Sequence, residues 1–262
     1  MMDKIILGQY ADTGSVIHRL DPRTKLLSIL AIMISFLLLK TFTGYITTTV
    51  LVAGLILTAK LPVVMVFRGL KPILFILSFT FLYHVLLTDG TPLWPGFFLK
   101  VTLEGIKNGS FIVWRMILLI LLASVLTLTT KPLDLAKGLE KLLKPLSRIG
   151  VPVEAFALMI VLAIRFIPTI IQELDRIMLA RKARGYDTTS TKGYKKIVAY
   201  TSILIPLFVT TIQRAEQLSL AIDARAYGDG RGRTSYKELN FAQVDYVAGG
   251  LTLAFVLLIL YL

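Results

Sequence analysis

The residues best suited to bind another molecule are two arginines, Arg184 and Arg225, which lie in a repeated stretch of sequence. Residues Ile171–Tyr186 and Ile212–Tyr227 agree at 7 of 16 positions, and both end on Ala-Arg-small-Tyr. A guanidinium presents a planar fork of donors that matches a carboxylate or backbone carbonyls, which a lysine ammonium cannot do. The pattern therefore predicts that two helix ends bind carboxylate or carbonyl oxygens of a partner.

Two simpler explanations of these arginines stay open. A cation in the last turn of a helix stabilises the negative helix end by about 0.3–1 kcal/mol. A lipid-headgroup patch formed by Arg181, Lys182 and Arg184 is the other alternative. It fits the second copy poorly, because Asp223 replaces Lys182 there. Docking into two similar grooves is favoured by the small residues that flank both arginines, which are Ala183, Gly185, Ala224 and Ala226.

No catalytic motif accompanies the arginines. The chain has no P-loop, His-Glu-x-x-His or Gly-x-Ser-x-Gly motif, and it has no cysteine. His18 and His84 are far apart in sequence, so no metal site is predicted. Arg115 and Asp245 are the only charges inside the predicted spans, so the chain lacks the mid-membrane carboxylate of many ion-coupled carriers. We predict a non-enzymatic protein that holds no cofactor of its own.

The composition indicates a membrane protein. Of the 262 residues, 55% are hydrophobic and only 17% are charged, whereas a soluble domain has about a quarter charged residues. A spanning helix needs about 20 residues, and five apolar stretches approach that length: Leu26–Leu39, Thr41–Ala59, Pro72–Leu87, Phe111–Thr130 and Ala242–Leu262. We therefore predict an all-α polytopic protein of the cell membrane with about five transmembrane helices.

The placement of lysine and arginine predicts the topology, because cytoplasmic loops are rich in both. Residues 131–240 carry 18 Lys/Arg against 10 Asp/Glu, and more basic residues precede the first and third spans. The opposite side receives only Lys40, Lys100 and Lys107. The N-terminus is therefore predicted to be cytoplasmic and the C-terminus external. The net charge of +13 then reflects cytoplasmic loops and the anionic lipid bilayer, with no nucleic acid as a partner.

Residues 131–240 are predicted to form three helices on the cytoplasmic side. Pro132 suits the first turn of one helix, and two long helical patterns follow, Val153–Arg184 and Gly193–Arg225. Their internal prolines, Pro168 and Pro206, are predicted to kink them. Their apolar first halves also allow membership of the transmembrane bundle, but the continuous polar faces of their last turns favour the membrane surface.

Three segments follow from this pattern. Residues 1–130 are predicted as a membrane domain with the first four spans, residues 131–240 as the cytoplasmic helices, and residues 241–262 as the last span. Gly185 lies where a left-handed residue would end the first long helix. The linker at 91–110 contains Trp94, Pro95 and Phe97 and is predicted to form an interfacial turn.

Several separated motifs resemble one known family. SVIHRLDPRTKLL (15–27), KPLDLAKGLEKLLKPLSRIGVP (131–152), ALMIVLAIRFIPTIIQELDRIMLARKARGYD (157–187) and AIDARAYGDGRGRTSY (221–236) occur in the family's order. They are similar to the transmembrane coupling protein, or T component, of energy-coupling-factor transporters. Members of this family are subunits of ATP-driven importers of vitamins and trace nutrients in prokaryotes.

The resemblance implies the partners and the role of the arginines. A T component joins two cytoplasmic ABC-type ATPases, which bind the ATP, to a small membrane protein that binds the substrate, the S component. The family's Ala-Arg-Gly-type motifs dock into the ATPases, and here Ala183-Arg184-Gly185 and Ala224-Arg225-Ala226 match them. The tail GDGRGRTSY resembles that of T components shared among several S components. A stand-alone secondary carrier is the alternative function, and an intramembrane enzyme is disfavoured.

Overall fold

The computed structural model describes residues 10–39, 41–91, 101–185, 193–226 and 239–262, and every regular element in these ranges is helical. The α-helices are α1 (Val16–Arg19), α2 (Pro22–Leu37), α3 (Phe42–Thr58), α4 (Val63–Arg68), α5 (Leu74–Leu87), α6 (Leu103–Thr129), α7 (Pro132–Leu143), α8 (Val153–Ala183), α9 (Tyr194–Ala224) and α10 (Gln243–Tyr261). Two short 3₁₀-helices are Lys71–Ile73 and Lys144–Ile149. The predicted all-α fold is confirmed.

The helices belong to two compact units. Unit one comprises residues 1–141 and 239–262, and unit two comprises residues 142–238. Helices α1 to α6, nearly all of α7, and α10 therefore lie in unit one, whereas α8 and α9 lie in unit two. The three segments predicted from the sequence, with boundaries at 130 and 240, stay a prediction.

Helix α6 is the central helix of unit one, because α2, α3, α4 and α5 all pack against it. Its leucines and valine recur at three- and four-residue spacing, which gathers them on one face of the helix. Leu118, Leu122 and Val125 are almost fully buried, and they meet Phe36 of α2 and Tyr45 of α3 in the same core. The apolar spacing of α6 thus organises the whole unit.

Two glycines let α6 approach α5 closely. A Cβ atom at Gly105 would lie 2.6 Å from the His84 carbonyl oxygen, and one at Gly109 would lie 3.2 Å from the His84 Cβ. Thr102 caps α6 by accepting a hydrogen bond from the Gly105 N–H at 3.1 Å, and its hydroxyl donates to the Thr88 carbonyl at 2.8 Å. These contacts hold the end of α5 beside the start of α6.

A polar network joins the start of α2 to the start of α10. Asp21 caps α2 by accepting from the Arg23 N–H at 2.8 Å, with Pro22 in the first turn. Its own N–H donates to Asp245 Oδ1 at 2.8 Å, and Asp245 Oδ2 accepts from the Ala242 N–H at the same distance. Asp245, predicted to lie near the end of its span, is therefore a capping residue of α10.

Lys25 is buried beside this network, with 5% of its surface exposed. Its Nζ donates to the carbonyl oxygens of Thr129 at 3.0 Å and His18 at 3.2 Å. Burial disfavours the charged amine and lowers the pKa of Lys25 from 10.5 to about 8, although nearby carboxylates act in the opposite direction. The ammonium group thereby links α1 and α2 to the end of α6.

Five helices in the described ranges are long and apolar enough to cross a membrane: Val63–Leu87, Leu103–Thr129, Val153–Ala183, Ile197–Ala224 and Gln243–Tyr261. Three of them contain or match predicted spans. The predicted spans Leu26–Leu39 and Thr41–Ala59 are not among these five helices, because the helices at those positions, α2 and α3, have only 16 and 17 residues. Helices α8 and α9 meet the length criterion instead, since each continues unbroken through its proline for 31 residues. Length and composition alone assign these candidates.

Unit two consists mainly of the two long helices, α8 and α9, which pack against each other. The 3₁₀-helix Lys144–Ile149 ends at Gly150, whose φ of +89° requires a residue without a side chain. It packs against α8, which starts three residues later. The repeated arginines therefore lie at the ends of the two long helices of unit two.

Candidate helix-end docking site

Arg184 is the C-cap residue of α8. Its φ and ψ are −86° and 10°, and its N–H donates to the Arg181 carbonyl at 3.0 Å. Gly185 follows in the left-handed region, with a φ of +79°, and its N–H donates to the Lys182 carbonyl at 3.0 Å. The prediction that Gly185 ends this helix in a left-handed conformation is confirmed.

Arg225 ends α9 in the same way. Its φ and ψ are −90° and 10°, and its N–H donates to the Ile222 carbonyl at 3.2 Å. Ala226 occupies the position of Gly185, with a φ of +50° and an N–H that donates to the Asp223 carbonyl at 2.9 Å. The sequence repeat is therefore also a repeat of backbone geometry, even where alanine replaces glycine.

Both arginine side chains are available for contact. Arg184, Arg225 and the small residues beside them, Ala183, Gly185, Ala224 and Ala226, are all exposed. Within the described ranges, neither guanidinium makes a hydrogen bond or an ion pair. The tyrosine after each motif, Tyr186 and Tyr227, lies outside those ranges, as does the tail GDGRGRTSY.

The two repeats meet at equivalent positions. Glu173 of α8 and Arg214 of α9 are 41 residues apart, the spacing of the repeat, and they form an ion pair of 3.8 Å between Oε2 and Nη2. Farther along α8, Arg181 Nη1 donates to Ser202 Oγ. From the first contact to the second, the residue number increases along α8 and decreases along α9. The two helices therefore run in opposite directions where they touch.

Sequence reasoning named Arg181 only as part of a lipid-headgroup patch and did not identify either contact, although the repeat carried a signal for the Glu173–Arg214 pair. Glu173 and Arg214 are aligned in the two copies and have opposite charges. A repeat whose equivalent residues have opposite charge can pair across a local twofold axis. The Arg181–Ser202 contact has no such signal, since the residues equivalent to its members are the apolar Ile222 and Val161.

The two prolines lie inside continuous helices. Pro168 is inside α8 and Pro206 is inside α9. Each lacks the N–H that would bond to the carbonyl four residues earlier, which bends a helix without necessarily ending it. Neither helix is broken there, and the kinks stay a prediction.

Arg115, the charged residue inside a predicted span, lies in unit one and away from the repeated motifs in sequence. Its Nη2 donates to the Leu39 carbonyl at 2.6 Å, and the guanidinium carbon lies 5.9 Å from the centre of the Tyr45 ring. The charged residue inside this predicted span is therefore paired with a backbone carbonyl. His18 and His84 belong to no cluster of possible metal ligands within the described residues.

Together, the apolar helices and the absence of strands in the described ranges define a polytopic α-helical membrane protein. Comparison with known proteins then identifies its family. Residues 13–236 match the family described as cobalt transport protein, CbiQ. A protein of Ruminiclostridium cellulolyticum is 40% identical over 97% of this chain and 96% of its own length. Proteins of Bacillus subtilis and Acidaminococcus fermentans are each 41% identical, over 94% and 100% of this chain and 93% and 98% of their own lengths.

All three relatives bear the name energy-coupling factor transporter transmembrane protein EcfT. The chain belongs to this family of transporter transmembrane proteins. The resemblance inferred from the separated motifs is thereby confirmed, and the similarity extends over nearly the full length of the chain.

Proposed function

We propose that this chain couples two partner ATPases to a substrate-binding S component in an ATP-driven importer of vitamins or other micronutrients. Arg184 and Arg225 each enter a groove on one ATPase, flanked by the small residues of their motifs. ATP is bound and hydrolysed in the partners, so this chain transmits motion and performs no chemistry. The names of the relatives support a transporter subunit, and the two matching helix ends support the coupling role.

The observation that carries this proposal is the matched geometry of the two ends. A favourable interaction with the helix dipole requires only a cation in the last turn. It does not require the same C-cap torsions, the same left-handed residue and small neighbours on both sides. Two similar grooves would require all of these features, because each guanidinium must leave its helix in the same direction.

The pairing of α8 and α9 provides a route for the motion. Each helix has 31 residues, which is about 46 Å at 1.5 Å per residue. A displacement at Arg184 or Arg225 therefore moves one end of a long helix. The Glu173–Arg214 pair and the Arg181–Ser202 bond connect the two helices, so the ATPases move both helices together. The apolar first halves of the helices would then shift the S component.

The test replaces both arginines with alanine in the complete transporter. Loss of each charge-assisted contact lowers ATPase binding by about ten- to a hundredfold, so we expect uptake to be abolished and ATPase co-purification to fall. Membrane insertion persists, because both side chains are exposed. Lys182→Ala is the matched control, since it removes an exposed cation from the same last turn and should leave uptake intact.

Normal uptake by the double variant would refute the coupling role. The alternative of a stand-alone carrier is tested with the purified chain alone. Liposomes that contain only this chain should move no substrate and hydrolyse no ATP. Substrate movement in those liposomes would instead establish a secondary carrier.

A further inference from the structure

Unit one contains a cavity of about 470 Å³ between the ends of α2 and α5 and the starts of α3 and α6. Leu39 and Tyr45 lie buried in its wall, and Asn108 is exposed. His84, Thr88 and Arg115 add further polar groups to the lining. The described part of the lining therefore combines an apolar wall, several hydrogen-bond donors and the positive charge of Arg115.

Arg115 has donors to spare in this cavity. A guanidinium has five N–H groups, and the Leu39 carbonyl accepts a bond from only one nitrogen, Nη2. The Nε atom is buried and has no hydrogen-bond partner within the described residues. A buried donor without an acceptor lowers stability. The arrangement thus favours a ligand that supplies acceptor oxygens.

The charge of the residues that line the cavity also favours a ligand with acceptor oxygens. No acidic side chain is among the described residues that line the cavity. The nearest acidic residue on the same helix face, Glu104, accepts hydrogen bonds from the Thr91 N–H and hydroxyl instead. Arginine matches phosphate oxygens with two parallel hydrogen bonds. An anionic group with several oxygens, such as a phosphate, would neutralise Arg115 and bond with its remaining donors.

The depth of Arg115 indicates the source of that phosphate. The apolar part of α6 begins at Phe111, and Arg115 lies four residues further, about 6 Å along the axis. With the span starting at Phe111, as the sequence predicts, this depth would lie near the boundary between the headgroups and the acyl chains. Tyr83 and Leu87 of α5, beside the lining residues His84 and Thr88, are exposed apolar side chains and would face those chains.

We propose that this cavity binds the headgroup phosphate of an anionic phospholipid, and that Arg115 is the main residue that contacts the phosphate. Asn108 and Thr88 are placed to bond with the headgroup glycerol. The bound lipid fills the space between the helix ends and supplies an acceptor for the Arg115 Nε atom, which has no partner among the described residues. This lipid site lies in unit one and is separate from the proposed coupling role of the helix ends.

The experiment measures lipid retention by the full chain in mild detergent with native mass spectrometry. The probes are phosphatidylglycerol, a galactosyl diacylglycerol with the same acyl chains, and inorganic phosphate. We expect wild type to retain phosphatidylglycerol at least tenfold better than the uncharged galactolipid. Arg115→Gln should lower phosphatidylglycerol retention about tenfold or more, because it removes the charge and the fork. Lys107→Gln removes an exposed charge from the same helix and should change retention less than twofold.

Two further variants keep the test decisive if Arg115→Gln loses its fold along with the Leu39 bond. Ile112→Trp keeps Arg115 but fills the cavity, so it should lose the lipid while its thermal unfolding stays close to that of wild type. Arg115→Lys keeps the charge without the fork and should retain an intermediate amount. Equal retention of phosphatidylglycerol by wild type and Ile112→Trp would overturn the proposal. Equal retention of the galactolipid by wild type, or displacement of the phospholipid by millimolar phosphate, would also overturn it.

Discussion

At the scale of single residues, Ala226 shows how two different sequences produce the same helix end. A φ of +50° is the left-handed region, which disfavours a residue with a Cβ by about 1–2 kcal/mol. Gly185 adopts the equivalent conformation without that strain. Alanine is the smallest residue with a Cβ, so Ala226 keeps both the backbone turn and the open surface around Arg225.

Ala226 therefore offers a direct test of the backbone at the second motif. Ala226→Gly should keep uptake and ATPase co-purification at wild-type levels, because glycine adopts a positive φ freely. Ala226→Val should reduce both severalfold, since a β-branched residue is a conformational outlier at positive φ. Uptake assays and pull-downs in mild detergent measure the two effects.

The matched control for the valine variant is Ala221→Val, five residues earlier on the exposed surface of α9. Valine is tolerated at a helical φ with a small loss of propensity, so this variant should behave as wild type. If Ala226→Val also transports normally, the left-handed turn is not required for docking.

At the scale of elements, close packing of helix on helix depends on where glycines occur. Gly105 lies where the backbone of α6 meets the backbone of α5, and the nearest atom to an added Cβ would be a carbonyl oxygen that cannot move alone. Gly54 of α3 has nothing within 4 Å of the same position. The two glycines look alike in sequence, yet only the first is required by packing.

The two glycines predict opposite effects on stability. Gly105→Ala should lower the free energy of unfolding by about 1–3 kcal/mol, because the added methyl group forces α5 and α6 apart. Gly54→Ala should raise it by about 0.5–1 kcal/mol, because alanine favours a helix and meets no neighbour there. Thermal unfolding in detergent compares both with wild type. Equal midpoints for the two variants would show that the close approach of α5 and α6 is not needed for stability.

At the scale of the whole molecule, the important question is on which side of the membrane each arginine lies. Docking to ATPases requires Arg184 and Arg225 on the same, cytoplasmic, side. If α8 crossed the bilayer completely, Arg184 would lie opposite to the start of α8. The start of α8 and Arg184 both belong to the segment 131–240, which carries 18 Lys/Arg against 10 Asp/Glu, and cytoplasmic segments are rich in lysine and arginine. We therefore expect α8 to begin and end on the cytoplasmic side, despite its length.

The absence of cysteine from the chain makes this topology simple to measure. Single cysteines introduced at Asp12 and Lys182 should react with a membrane-impermeant maleimide only after the cells are permeabilised. A cysteine at Leu262 should react in intact cells, because the C-terminus is predicted to be external. Labelling of the Lys182 position in intact cells would show that α8 crosses the membrane, and the proposed docking of both arginines would then be wrong.

Local sequence patterns were sufficient to predict many features of this protein. Apolar periodicity predicted the helices, the glycine at position 185 predicted a left-handed helix end, and the repeat predicted two equivalent arginines. The separated motifs also identified the family. These features depend on residues close together in sequence, whose torsions and hydrogen bonds are set within one or two helical turns.

Tertiary structure decided the features that depend on distant residues. The burial of Lys25 against α6, the Glu173–Arg214 pair and the cavity at Arg115 each join elements that are far apart in sequence. The left-handed conformation of Ala226 was also outside sequence reasoning, because alanine usually avoids it. The sequence thus determined the helix ends and the motifs on them, and packing determined what those ends are connected to.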